Sequence, residues 1–460
     1  MAALLRGRGF TQLSVANLVL AGEVAIALVA ILYLGSRVSV EQYIVAGLLL
    51  TVFSGESGQL GLPIGPDRVA FAAAAFQGYR QYRAGQLPQL RWKTVHGLLL
   101  AVSVIGVVSA AIVGTLTSSS GFYGLVDRLG LLPFALFCLA PIYFRTEKQR
   151  RVLLGGLVIL GAYLGLTALF EGLGINALVF PRYILNPNVG IHFGRARGPF
   201  VEAVADGLSL YACFVAAMVG VVIWRNKRGL VLSCSAVALL CLMGTLFTLT
   251  RAVWIGSVVA TLAAMLFAPQ LRRYVIPAVA GGSLALGLLL VVVPGISSKA
   301  SQRAGDEQPV WDRYNTNSAA VRVIEAHPLM GIGWQKFVSV NPDYQRQADS
   351  YPLTGSEIEV HNVFLSRGAE LGLPGLFMFA IALAVAIGGA LIRRGPPELY
   401  VWRVGLLAVS LSWIIAANFG PLPYAFPNYL LWLWAGVVAA PHLIAGARPA
   451  PVRALAEVPA

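Results

Sequence analysis

The chain reads as all-α, a polytopic membrane protein of about twelve transmembrane helices with one long extracytoplasmic loop carrying short helices. Three observations lead there. Of its 460 residues 57% are hydrophobic and 12% charged, with a mean hydropathy of +0.74, whereas a soluble domain carries about a quarter charged residues. Apolar runs of about 20 residues, the length that crosses the hydrocarbon of a bilayer, recur along the chain. The short segments between them are basic on one side only of a twelve-span arrangement, as expected where Lys and Arg hold span ends in the cytoplasm. Residues 1–460 therefore read as a single integral membrane domain.

The N-terminus opens on Arg6 and Arg8, followed by an apolar run over 13–34. That run is too long for a signal-peptide core and has no clear small-residue cleavage site, so it reads as a retained first span. Further spans are expected at 38–53, 96–116, 129–144, 152–171, 203–223, 230–249, 252–268, 274–294, 370–392, 400–418 and 424–440. The alanine-rich, amphipathic stretch 67–83 ends on basic residues and is expected on the membrane surface or in the cytoplasm, with a broken extra span as the alternative. The cytoplasmic clusters are Arg80/Arg83/Arg91/Lys93, Arg145/Lys148/Arg150/Arg151, Arg225/Lys227/Arg228, Arg272/Arg273 and Arg393/Arg394, joined by Arg448 and Arg453. This anchoring accounts for the net charge of +14 without nucleic acid. The four cysteines, Cys138, Cys213, Cys234 and Cys241, all fall in apolar runs and read as small buried hydrophobes.

The segments left on the outer side differ in kind. Residues 172–202 contain Asn186-Pro187-Asn188, His192 and Gly194-Arg195-Ala196-Arg197-Gly198-Pro199-Phe200. Residues 295–369 form the one long extracytoplasmic loop. Up to 365 it holds six basic side chains (Lys299, Arg303, Arg313, Arg322, Lys336, Arg346) against eight acidic ones (Asp306, Glu307, Asp312, Glu325, Asp343, Asp349, Glu357, Glu359). A loop this long within a compact domain usually carries function. Within it 314–326 can form a short helix, stopped ahead of His327-Pro328 because a residue before proline disfavours the helical region.

Arginine on the outer side is the first chemical signal. Arg251 lies in Thr248-Leu249-Thr250-Arg251-Ala252-Val253-Trp254, at the hinge between two spans, either as a functional group or as an interfacial arginine reaching headgroups. Arg313 begins the loop helix beside Asp312, with which it could form a surface pair of little consequence, and Arg322 follows it. Arg195 and Arg197 precede Gly-Pro at the mouth of another span. His361 is the second signal, a side chain suited to take a proton near neutral pH, although a lone His is often structural. Glu357, Glu359 and His361 alternate and on an extended strand could share a metal; no Asp-x-Asp motif accompanies them. Glu370 could orient a neighbouring donor or cap a helix beginning there.

Three stretches in this order resemble the bacterial O-antigen ligase and O-antigen polymerase family. The first is the Arg251 stretch above. The second is Arg313 followed by Ile324-Glu325-Ala326-His327-Pro328-Leu329-Met330-Gly331-Ile332-Gly333-Trp334 and Phe337. The third is His361-Asn362 with Leu365, then Glu370-Leu371-Gly372-Leu373-Pro374-Gly375. The resemblance covers about the C-terminal half, with a catalytic region over 240–380, and Arg197-Gly198-Pro199-Phe200 is a weaker fourth element. The chain departs from the family at Asn317, where tryptophan is common, and at Glu202-Ala203-Val204, where an Asn-Pro-Asn-type turn is usual.

What the resemblance implies is an inverting, metal-independent glycosyl transfer on the outer face of the bacterial cytoplasmic (inner) membrane. The donor is a glycan on undecaprenyl diphosphate and the acceptor a lipid or glycan hydroxyl. Arg251 and Arg313 are then expected to bind the diphosphate and His361 to act as general base. Arg195, Arg197, Arg322 and Glu370 are possible donor or acceptor contacts. No metal, cofactor or nucleic acid is implied; membrane lipids surround the chain. A transporter or flippase of lipid-linked saccharides is the alternative, but it needs ionisable residues along a mid-membrane path, and the spans offer little beyond Glu23. A silent scaffold in an envelope complex is a third reading.

Overall fold

The computed structural model describes residues 38–62, 64–292, 298, 301–302, 305–346, 351–352, 358–393 and 395–445. The expected span at 13–34, the basic residues at both termini, Glu23, Lys299, Arg303, Asp349, Glu357 and Arg394 lie outside them. Among the described residues all regular structure is helical, and the β-bridge between Leu90 and Ile444 is isolated.

In chain order the principal helices are α1 (Val40–Leu50), α2 (Pro66–Arg83), α3 (Thr94–Ile112), α4 (Leu131–Tyr143), α5 (Glu147–Leu173), α6 (Ala203–Ile223) and α7 (Arg228–Phe247). They continue with α8 (Arg251–Phe267), α9 (Val275–Val292), α10 (Gln308–Ala326), α11 (Phe337–Tyr344), α12 (Val363–Leu383), α13 (Tyr400–Ala417) and α14 (Ala425–Leu443). Among the described residues seven helical stretches are long and apolar enough to cross a membrane: Thr94–Ile112, Ser119–Tyr143, Glu147–Leu173, Ala203–Ile223, Arg228–Phe247, Val363–Ile392 and Pro397–Ala417. This makes the chain a polytopic membrane protein. The apolar helices Val40–Phe53 and Arg251–Phe267 are shorter. Helix α14 falls outside the seven because Pro427, Asn428, Pro441 and His442 dilute both of its ends. It is instead the buried core of the bundle, with Tyr429 and Trp434 fully enclosed and Gly436 admitting the main chain of α4 at Phe137.

Several boundaries differ from those expected, each for a local reason. Helix α5 begins at Glu147 because Thr146 and Gln149 satisfy each other's main chains, at 3.0 and 3.3 Å. Lys148, Arg150 and Arg151 are therefore in its opening turns and not in a connecting loop. Helix α10 starts six residues before 314, with Pro309 in its first turn, and ends before His327-Pro328 as expected. Helix α12 starts seven residues before 370, so the long loop ends at Asn362 and Glu370 cannot cap a helix start. Stretch 67–83 forms helix α2, packed on α1. At its start Arg68 donates to Tyr429 Oη at 2.8 Å and to Asp127 at 2.5 Å, and further on a Cβ on Gly78 would come within 2.8 Å of Tyr143 Oη. One face of α2 is thus turned to the rest of the protein, while Phe76, Tyr79 and Tyr82 are exposed.

The two ends of the bundle are chemically distinct. At one, Arg91 N–H donates to Leu443 O at 2.7 Å and Arg403 to Arg393 O at 3.1 Å, bringing the basic segments that follow α2 and α12 to the end of α14 and the start of α13. At the other, the loop carrying α10 and α11 docks through Trp334. Its main-chain N–H meets Ser109 Oγ at 3.0 Å, its carbonyl accepts from Thr115 Oγ1 at 3.0 Å, and its ring N–H donates to Gly121 O at 3.1 Å. Trp334 is fully buried.

The loop is also tied to a break in α12. Gly372 adopts φ 70° and ψ 178°, and Pro374 has no N–H to offer Glu370 O four residues back. The carbonyls of Ala369 and Glu370 are satisfied instead by the N–H groups of Ile332 (2.9 Å) and Gly333 (3.0 Å), while Leu373 N–H donates to Pro328 O at 2.7 Å. This close approach explains the glycines. A Cβ on Gly372 would lie 2.4 Å from Leu329 O, and one on Gly331 2.5 Å from the Glu370 carbonyl carbon.

Candidate functional site

The site is assembled at the loop end from three segments. Arg251 is the first residue of α8, after a turn in which Leu249 takes φ 49°. Trp254 Nε1 donates to Thr245 O at 2.9 Å and Ala196 N–H to Phe247 O at 3.0 Å, so the hinge is held from both sides. The half-buried Arg251 side chain donates to Asp306 O at 3.2 Å, just ahead of α10. Arg313 lies on α10 and spends its Nε on Phe419 O at 3.0 Å, which anchors the fork to the segment between α13 and α14. His361 stands immediately before the N-cap of α12. Asn362 accepts from the N–H groups of Phe364 (2.9 Å) and Leu365 (3.0 Å) and donates to Asn418 Oδ1 at 3.2 Å. That cap fixes where the imidazole leaves the chain.

Arg251, Arg313 and His361 fall within electrostatic reach of one another in a row. Burial, and then the charge of Arg251, pushes the Arg313 guanidinium down from its ordinary value, with Asp312 opposing. Burial, and then the charge of Arg313, holds the His361 imidazole below the usual histidine range, with Asp312 and Glu359 opposing. Thr316 Oγ1 lies 3.4 Å from His361 Nδ1. Two like charges beside a largely neutral imidazole form a cradle for an anion next to a base.

The other arginines and Glu370 are placed differently. Arg197 is 1% exposed, and its guanidinium donates to four main-chain carbonyls, those of Ile184, Asn186, Val189 and Ile191, at 2.6–3.3 Å. It staples the 182–191 turn through these donors. Its neighbour Arg195 is half-buried in the same segment. Arg322, nine residues after Arg313 and so on the opposite face of α10, donates to Tyr344 O at 2.8 Å and ties α10 to α11. Glu370 is 3% exposed and within electrostatic reach of Arg128 and Arg367.

Residues not anticipated from sequence complete the surroundings. Arg128 pairs with Glu359 at 2.7 Å, two positions before His361. Arg367 is 1% exposed, donates to Arg128 O at 2.6 Å and stacks over the Trp334 ring at 5.0 Å. Of the three residues considered for a shared metal, Glu357 lies outside the described residues and Glu359 is taken up by Arg128. Two carboxylates inside spans also went unremarked. Asp206 in the first turn of α6 is fully buried, with no hydrogen-bond partner for its oxygens among the described residues. Glu171 near the end of α5 accepts from the N–H groups of Arg197 and Gly198, the latter at 3.0 Å. Both sit at the loop end of their helices.

Residues 236–380 match the family described as O-Antigen ligase, a stretch that contains Arg251, Arg313, Arg322, His361 and Glu370 and leaves out Arg195 and Arg197. The chain is also 24% identical over 293 residues to the "Exopolysaccharide production protein ExoQ" of Rhizobium meliloti (strain 1021), covering 58% of this chain and 63% of that protein. The chain thus spans less than two thirds of the length of this relative.

Proposed function

We propose that this O-antigen-ligase-type chain is a membrane glycosyltransferase that moves a glycan from undecaprenyl diphosphate to a hydroxyl of a lipid or a growing glycan. The observation that carries the reading is the row of Arg251, Arg313 and His361, drawn from three separate segments to one end of the bundle. In the transfer, the acceptor oxygen attacks the anomeric carbon from the face opposite the diphosphate and the configuration inverts. The bond from the anomeric carbon to the diphosphate oxygen breaks, and the lipid diphosphate leaves with its bonding pair. His361 takes the acceptor proton, and the two guanidinium groups meet the charge growing on the leaving group without a metal ion. Preorganised donors of this kind are worth the most where water is excluded.

Because the basic segments collect at the opposite end, this end faces the extracytoplasmic side of the inner membrane. The transporter reading gains nothing from Asp206 and Glu171, since neither lies midway along a span. The test is transfer by purified protein from a synthetic undecaprenyl-diphosphate-linked glycan, with chelator present. His361→Ala should lower turnover by about 10²–10⁴ while leaving donor retention intact. Transfer by that variant at the unaltered rate rejects the base assignment.

A further inference from the structure

We infer that a cleft at the basic end of the bundle, distinct from the site above, binds the headgroup of an anionic phospholipid. The cleft has a volume of about 80 Å³ and lies between the start of α3, α4, the continuation of α12 and the end of α14. Its lining includes Lys93 and Arg393, both exposed, and His442, half-buried, and none of the lining residues is acidic. Phe137, Ala386 and Ala390 in the same lining are buried. Exposed cations beside a buried apolar lining between helices match a phosphate attached to acyl chains better than a soluble anion.

The depth is right as well. Trp92 is 72% exposed beside Lys93, and Tyr79 and Tyr82 on the last turns of α2 are 57% and 68% exposed. Exposed Trp and Tyr flanking basic residues mark the level of lipid headgroups. The cleft cannot be an outlying part of the candidate transfer site. It opens at the first residues of α3, whereas the loop end is reached beyond the last, where Gly333 packs on Val113. The proposal is thus independent of the glycosyl-transfer reading.

The experiment offers the detergent-purified full chain phosphatidylglycerol, phosphatidylcholine or inorganic phosphate, and reads retained lipid by native mass spectrometry together with Tm. Phosphatidylglycerol should be retained and raise Tm, while the other two do neither. Lys93→Gln combined with Arg393→Gln should weaken retention by about tenfold or more. The charge-matched control, Arg80→Gln with Arg83→Gln at the same end, should retain the lipid. A side chain added at Gly389 meets open space, so Gly389→Leu fills the cleft without altering charge and should also expel the lipid. Equal retention of phosphatidylcholine, an equal effect of inorganic phosphate, or loss in the control pair as large as in the cleft pair overturns the proposal. So does undiminished retention in both cleft variants.

Discussion

Thr316 Oγ1 donates to Asp312 O at 2.8 Å and lies 3.4 Å from His361 Nδ1. With its own proton committed to the Asp312 carbonyl, the hydroxyl faces the ring as an acceptor. A ring proton on Nδ1 would satisfy this acceptor and leave the lone pair on Nε2 for an incoming proton. Thr316→Val keeps the shape and removes the acceptor. It should cost about 1 kcal/mol of stability and lower glycan transfer roughly tenfold or more, with donor retention unchanged. Turnover and binding measured on the same preparation separate the two effects.

The pH dependence follows from the surroundings of His361. Burial and Arg313 hold its pKa below the usual 6.5, so the base remains neutral and competent as pH falls to that value. The acid limb of kcat/KM is therefore expected below pH 6.5. Arg313→Gln should lower the rate and move that limb upward, a shift that loss of binding alone would not produce. The linkage has the same sign for stability: the contribution of the neutral imidazole is fully present above the unfolded pKa and lost as pH falls through the lower, folded one. His361→Ala should accordingly flatten the fall of Tm on acidification.

Asn362 carries a structural load for the neighbouring imidazole. Asn362→Ala should cost about 1 kcal/mol through the lost cap and reduce transfer, whereas Asn362→Asp, which still caps, should recover most of the Tm. Equal Tm values for the two variants would show that the cap contributes nothing.

Gly372→Ala tests the break in α12. At φ 70° and ψ 178°, with its new Cβ facing Leu329 O, alanine should destabilise the protein by at least about 2 kcal/mol. Denaturation in detergent, or abundance in membranes, would register it; unchanged Tm would mean that the break relaxes.

The legible parts of this chain were those where residue type is unusual for its surroundings. Apolar runs set helix positions to within a few residues, and Arg251, Arg313 and His361 stood out as ionisable groups beside apolar spans. What stayed hidden depended on partners remote in sequence. Arg128 sits within a helical stretch apolar enough to cross a membrane, and only Glu359, 231 positions away, reveals its role. Helix α2 reads as amphipathic from its alanines and basic end, but nothing in the sequence shows that Arg68 at its start meets Asp127 and Tyr429, the latter 361 positions further on. Arg197 is a case in which the sequence shows the charge but not its main-chain acceptors, which lie in the 184–191 stretch. The start of α12 was misplaced because Ser366, Arg367 and Glu370 are polar, yet all three are buried against other parts of the protein.

The main-chain bonds joining 328–333 to 369–373 have a mechanical consequence. They couple the piece bearing Arg313 to the piece bearing His361, and Phe419 O and Asn418 Oδ1 tie the connection between α13 and α14 to the same unit. Of the three groups in the row, Arg251 alone stands on a separate hinge, joined to this unit through Asp306 O.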